Sequence, residues 1–187
     1  MIHAALALSL VLFAASADAA EPPTGPQQAA TLLFGTTGIW KGTLTYLDYE
    51  SGERTALPVV ETVTLLPDNA TLQTVAAYDE GGSRTVYISS LSALDSDTGA
   101  WQSASFRKGN SMETGAVTLS LLAAPTDATH WTVITTEDGT DGDSPATIRH
   151  TITRDGATLT TRAEFDRKND GKGEYAFRNE SVLTLIP

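Results

Sequence analysis

From about residue 38 to the end, the chain alternates polar and apolar residues in runs of roughly eight to thirteen, each run broken by turn residues. Period-two alternation between turn signals is the pattern of half-buried antiparallel strands. Ten such runs can be drawn: 38–49, 54–66, 70–79, 83–94, 100–107, 111–122, 129–137, 145–154, 157–167 and 173–186. Threonine, valine, tyrosine and isoleucine dominate them, as pleated surfaces favour. The punctuation is turn chemistry: Pro67-Asp68-Asn69, Glu80-Gly81-Gly82, Lys108-Gly109-Asn110 and Asp155-Gly156. Residues 138–144, rich in Gly and Asp, read as a longer loop. Pro58, inside the second run, calls for a bulge or an edge position. A meander of eight to ten strands escapes open edges best by closing on itself. The expected fold is therefore all-β, a single antiparallel barrel of eight to ten strands over residues 38–187.

The segment before the strands has a different character. Ala4 to Ala15 is apolar apart from Ser9, and Ala17-Asp18-Ala19 fits a small-x-small cleavage site. Residues 1–19 thus read as a signal peptide for export, and the run of about 12 apolar residues is short of the roughly 20 that span a bilayer. The expectation is a secreted or periplasmic protein without a stable membrane anchor. Residues 20–37 form a leader, in which 27–34 suits one or two helical turns, with Pro26 at a helix start and Gly35 at its stop. Such a segment is expected to cap one end of the barrel, or else to trail as a disordered tail.

Composition narrows the functions. The chain holds 12 Lys and Arg against 23 Asp and Glu, a formal charge of −11, and has no cysteine. That balance repels phosphate backbones, so nucleic acid is not an expected partner. Disulfides are excluded outright. Two histidines outside the signal, with no HExxH spacing, do not make a zinc site. No nucleophile motif and no phosphate-cradling glycine loop is present. Aspartates gather at 95–97, 138–143 and 166–170, where turn formation explains them better than calcium: Lys168 and Phe177 stand where ligands of a calcium loop would be. Glu61, Glu164 and Glu174 could pair across a barrel for acid–base work, but surface charge explains most of them.

The aromatic residues suggest a lining. Alternation puts Trp40, Leu44 and Tyr46 on one face of the first strand and Tyr87 with Leu91 on one face of the fourth. Trp101 shares a face with Ser103 and Ser105, Trp131 with Val133, and Tyr175 with Phe177. Turned inward, they would form an apolar cavity with a few hydroxyls, the usual composition of a small-molecule pocket. A barrel of this size is equally able to fill its interior with side chains. His150 lies between Ile148 and Ile152 on one face of the eighth strand.

The first strand opens Gly38-Ile39-Trp40-Lys41-Gly42. A Gly-x-Trp at this position resembles the signature of lipocalins and the wider calycin barrels, and the chain is similar to bacterial secreted proteins with a lipocalin-like barrel. The resemblance implies that Gly38 and Trp40 are structural, with Trp40 at the closed end. It also implies a basic residue of the last strand over the indole, for which Arg178 is the candidate. In nitrobindin-like calycin barrels an inward histidine ligates haem iron, a role His150 would take here; a core histidine satisfied by one hydrogen bond is the commoner arrangement, and no cofactor is expected.

The function expected from these readings is a non-enzymatic exported barrel that binds a small apolar or amphipathic molecule. The candidate lining is Tyr46, Tyr87, Trp101, Trp131, Arg149, His150 and Tyr175. The alternatives are a barrel enzyme (isomerase, cyclase or hydrolase) on a lipid-like substrate, with Arg149, His150 and Tyr175 converging inside, and a packed interaction domain.

Overall fold

The computed structural model describes residues 25–48, 51–169 and 171–187. The expected signal peptide and the first part of the leader lie outside them. One helix, α1 (Gly25–Phe34), precedes ten strands: β1 (Gly38–Leu47), β2 (Arg54–Leu65), β3 (Thr71–Asp79), β4 (Thr85–Leu94), β5 (Ala100–Arg107), β6 (Glu113–Leu121), β7 (His130–Asp141), β8 (Ser144–Asp155), β9 (Thr158–Arg167) and β10 (Ala176–Ile186). Each strand pairs antiparallel with its sequence neighbours, and β1 pairs with β10, so the sheet closes into a ten-stranded barrel. Closure gives every strand a partner on both sides, which removes the edges of an open meander.

The strands follow the expected runs, with one correction. Residues 138–144 do not form a loop. β7 continues to Asp141, which pairs with Ser144, and Gly142-Asp143 makes a two-residue turn with Gly142 at φ 61°. Glycine at the first position of a two-residue turn supplies the positive φ that such a hairpin requires. Asp138 and Asp141 instead meet cations of the next hairpin, Lys168 at 2.7 Å and Arg167 at 2.7 Å. Pro58 pairs with Thr43 of β1, while the β2–β3 ladder begins at Val59. Its missing N–H therefore costs no bond toward β3. The loop aspartates do work as turn formers: Asp95 accepts from the N–H groups of Asp97 and Thr98 at 2.9 and 3.1 Å.

Helix α1 caps one end. It buries Ala29, Ala30 and Leu33, and Phe34 meets Trp101 with ring centroids 5.8 Å apart. The core gathers beneath it. Trp40, Val63, Leu72, Leu119, Trp131, Leu159 and Leu183 are buried there, all near the strand ends that face the helix. Gly42 shows how tightly β1 and β10 approach: a Cβ at this position would lie 1.9 Å from the Val182 carbonyl oxygen.

The helix is latched to the barrel by the carbonyls of the turn that follows it. Trp40 Nε1–H donates to Thr36 O at 2.7 Å, and Arg154 Nη1–H donates to Gly35 O at 2.6 Å. A cation at a helix C-terminus also complements the helix dipole. Arg154 lies over the Trp40 ring at 5.6 Å. The basic residue above the tryptophan therefore comes from β8, not from Arg178. Arg178 sits at the start of β10, at the opposite end of the barrel, and donates to Leu47 O. Antiparallel pairing forces this: Trp40 pairs with Leu185 near the end of β10, so the beginning of that strand cannot reach it.

Candidate functional site

Toward the other end the packing gives way to a cavity of about 560 Å³. One wall is serine: Ser90 and Ser92 of β4, Ser103 and Ser105 of β5. The facing wall carries Thr135 and Glu137 of β7, His150 and Ile152 of β8, and Thr161 of β9. Trp101 forms the floor on the side of α1, and Glu113, Gly115 and Val117 of β6 lie between the walls. These positions alternate along each strand, as inward residues must.

The barrel wall itself is incomplete here. The β6–β7 ladder runs only from Thr118↔Thr136 to Leu121↔Val133. Beyond it, residues 113–117 pair with β5 alone and residues 137–141 with β8 alone. The two strands thus part toward the open end, leaving two unpaired lips. Thr114, which points outward by alternation, also borders the cavity, so the cavity reaches the lip of β6. Glu137 reaches from the β7 lip toward β6 and β5. An added Cβ at Gly115 would lie 3.8 Å from both Glu137 Oε2 and Ser103 Oγ.

Burial and charge set the titration of the inward groups. Burial pushes the His150 imidazole below its usual value, partly offset by the Glu137 charge. The imidazole is therefore neutral at pH 7, and its Nδ1 stands 3.4 Å from Thr135 Oγ1. Glu61, inward on β2, is raised by burial. Tyr78, inward on β3, is pushed up to about 12, first by burial and then by the charge of Glu61. Among the described residues, Glu61, Glu113 and Glu137 form no ion pair with lysine or arginine, and no group of three His, Asp or Glu converges as a metal site.

The sequence-based candidates separate into three groups. Trp101 and His150 line the cavity. Tyr46 and Trp131 occupy inward positions in the alternation, but Trp131 is 4% exposed and belongs to the packed end. Tyr87, Arg149 and Tyr175 are on the outside, which corrects the expected lining. Tyr87 is 60% exposed. Arg149 immediately precedes His150 and so has the opposite parity, and a strand cannot turn both inward. It stacks on Tyr175 at 3.7 Å from the ring centroid and pairs with Glu164 at 2.7 Å. Glu164 also accepts from Arg162 Nε at 3.0 Å, while Phe177 lies under both Arg54 and Arg162. Burial raises the Glu164 carboxyl, but the two arginines outweigh it and hold the group below its ordinary value. Arg149, His150 and Tyr175 therefore do not converge as an acid–base set.

Four cavity-lining polar positions were not among the sequence-based candidates. Ser90, Ser92, Glu113 and Glu137 line the cavity, and Glu61 is inward, not surface charge. Glu137 shares parity with Trp131, Val133 and Thr135, so extending that alternation by one step would have placed it. A haem fits this lining poorly. His150 points inward, but the walls are hydroxyl-bearing and two carboxylates border the space, where a porphyrin needs apolar faces around it.

No protein-family model matches the chain, and no curated protein matches it. Among solved structures, it is similar to the crystal structure of Rv2717c from M. tuberculosis, with TM-score 0.57 and 10% identity, covering 85% of this chain and 98% of that one. A second similarity, to a DUF3598-family protein of unknown function from Nostoc punctiforme, has TM-score 0.22 and 9% identity over 85% of this chain and 99% of that one. The first supports the ten-stranded barrel as a fold; the second carries no argument. By its own geometry and this likeness, the chain is a closed ten-stranded antiparallel β-barrel, with one short helix among the described residues.

Proposed function

We propose that this protein is an exported, non-enzymatic binding barrel of lipocalin-like type, which holds a small amphipathic molecule in its open half. The observation that carries the reading is the cavity of about 560 Å³ between Trp101 and His150. That volume falls in the range of small-molecule sites, about 300–1,000 Å³, and mixes apolar wall with a few directed polar groups. The lipocalin-like assignment draws on Gly38-Ile39-Trp40 at the start of β1, with Trp40 fully buried at the capped end under an arginine. Export draws on the apolar run and cleavage pattern of residues 1–19.

Binding follows from desolvation of an apolar moiety against Trp101, Val117 and Ile152, while serine and threonine hydroxyls fix its polar end. The test is a titration with Nile red, a neutral dye whose emission reports an apolar site. Saturable 1:1 binding is expected, and Ser103→Trp, which fills the cavity, is expected to abolish it without unfolding the barrel. Absence of saturable binding, or binding unchanged in Ser103→Trp, would remove the reading.

A further inference from the structure

Among the described residues, no lysine or arginine forms an ion pair with the two carboxylates that line the cavity. Glu137 stands on the β7 lip, with its carboxylate near Gly115 and Ser103, and Glu113 stands on the β6 lip across the gap. Arg107 shares a neighbouring depression with Glu113 but forms no ion pair with it among the described residues. Arginines of the neighbouring strands β8 and β9 are engaged elsewhere: Arg149 and Arg162 with Glu164 outside, Arg154 with the turn after the helix, Arg167 with Asp141. His150, neutral at pH 7, adds no positive charge. A partly enclosed cavity with two carboxylates at its entrance and a tryptophan at its floor attracts one kind of guest: a cation carried on an apolar body.

Resting on the binding reading above, we propose that the ligand is an amphipathic organic cation that enters laterally between β6 and β7. Its ammonium or amidinium group is held at Glu137 and Glu113 on the two lips, and its apolar body lies against Trp101. The lateral entrance follows from the ladder, which ends at Thr118↔Thr136 and leaves both lips without partners across the gap. The opposite end is closed by α1. The chemistry of the lips then selects the ligand. A cationic head group gains a charge-assisted hydrogen bond in a partly desolvated site, whereas an anionic head group would meet two like charges.

The experiment is competition against bound Nile red by three chains of equal length that differ only in the head group: decylamine, decanol and decanoate. The amine is expected to displace the dye at about tenfold lower concentration than the alcohol, the equivalent of about 1.4 kcal/mol, and decanoate is expected to be the weakest. Glu137→Gln keeps the side-chain shape and is expected to remove most of the amine's advantage while leaving the alcohol unchanged; Glu113→Gln together with it is expected to remove all of it. The wild-type ranking is itself decisive, so a variant that folds poorly does not rescue or sink the proposal. Dye binding with the alcohol equal to the amine, or with decanoate best, overturns the cation and leaves the binding barrel standing. No dye binding at all overturns both.

Discussion

The two halves of this barrel are built from the same alternating strands, yet one is packed and the other is hollow. Under α1, the inward residues are Trp40, Val63, Leu72, Leu119, Trp131 and Leu183, and the helix closes over them with Leu33 and Phe34. Toward the other end the inward residues become Ser90, Ser92, Ser103, Ser105, Thr135 and Glu137. Small polar side chains cannot fill a cylinder of ten strands, so water or a ligand must. The ladder differs too: it is continuous at the packed end and splits between β6 and β7 at the other. On the proposed function, stability and binding therefore occupy different halves. The capped half supplies the burial that holds the sheet closed, and the open half carries Glu113 and Glu137 beside its serines and threonines.

Substitutions sharpen that contrast. The largest effect is expected from Trp40→Ala, which removes a fully buried indole, the Thr36 bond and the surface beneath Arg154; a loss of about 3–5 kcal/mol in urea unfolding is expected. Gly42→Ala comes next, at about 3 kcal/mol, because its methyl would collide with backbone of β10 and cannot be relieved by a rotamer change. A near-neutral result at either position would mean that the capped end is not where stability resides.

The inward titratable groups have smaller effects, with opposite signs of pH dependence. Glu61 has a raised folded-state value, so the stability it contributes is full below the unfolded value and is lost as pH rises through the folded one. At pH 7 it is a net cost. Glu61→Gln is expected to raise Tm at pH 7 and to match wild type below about pH 4. His150 has a lowered folded-state value, so its contribution is present above the unfolded value of about 6.5 and is lost as pH falls through the folded one. His150→Gln is expected to flatten the wild-type decline on the acid side of that value. The smallest effect belongs to the cavity wall: Ser103→Ala is expected to change stability by no more than about 0.5 kcal/mol. A large loss there would show that the open half is packed after all.

Much of this was legible in the chain. Threonine-rich alternation and turn residues gave all ten strands, and Pro26 and Gly35 bracketed the helix within two residues. All three tryptophans and His150 stand at inward positions, as the alternation suggested. What alternation along one strand does not give is absolute parity, which depends on which face closes inward. Tyr87 with Leu91 was a correct pairing on the wrong side, and Phe177 with Tyr175 likewise. Arg178 failed for a different reason. The sequence shows that an arginine lies in the last strand but not at which end of it Trp40 sits; the antiparallel register puts Arg154 there instead. The break between β6 and β7 left no mark beyond Gly115, because loss of a ladder is a property of two strands and not of either alone.

The central claim is that the hollow, split half is the working half. Amide hydrogen exchange with and without saturating decylamine tests it most directly. Amides in the β6–β7 ladder at 118–121 and around Trp40 are expected to exchange slowly throughout. Amides directed across the gap from 113–117 and 137–141 are expected to exchange fast in the free protein and to slow once the amine is bound. Uniform protection of the whole barrel before any ligand is added, or amine-induced protection confined to the capped end or the outer face, would contradict the account.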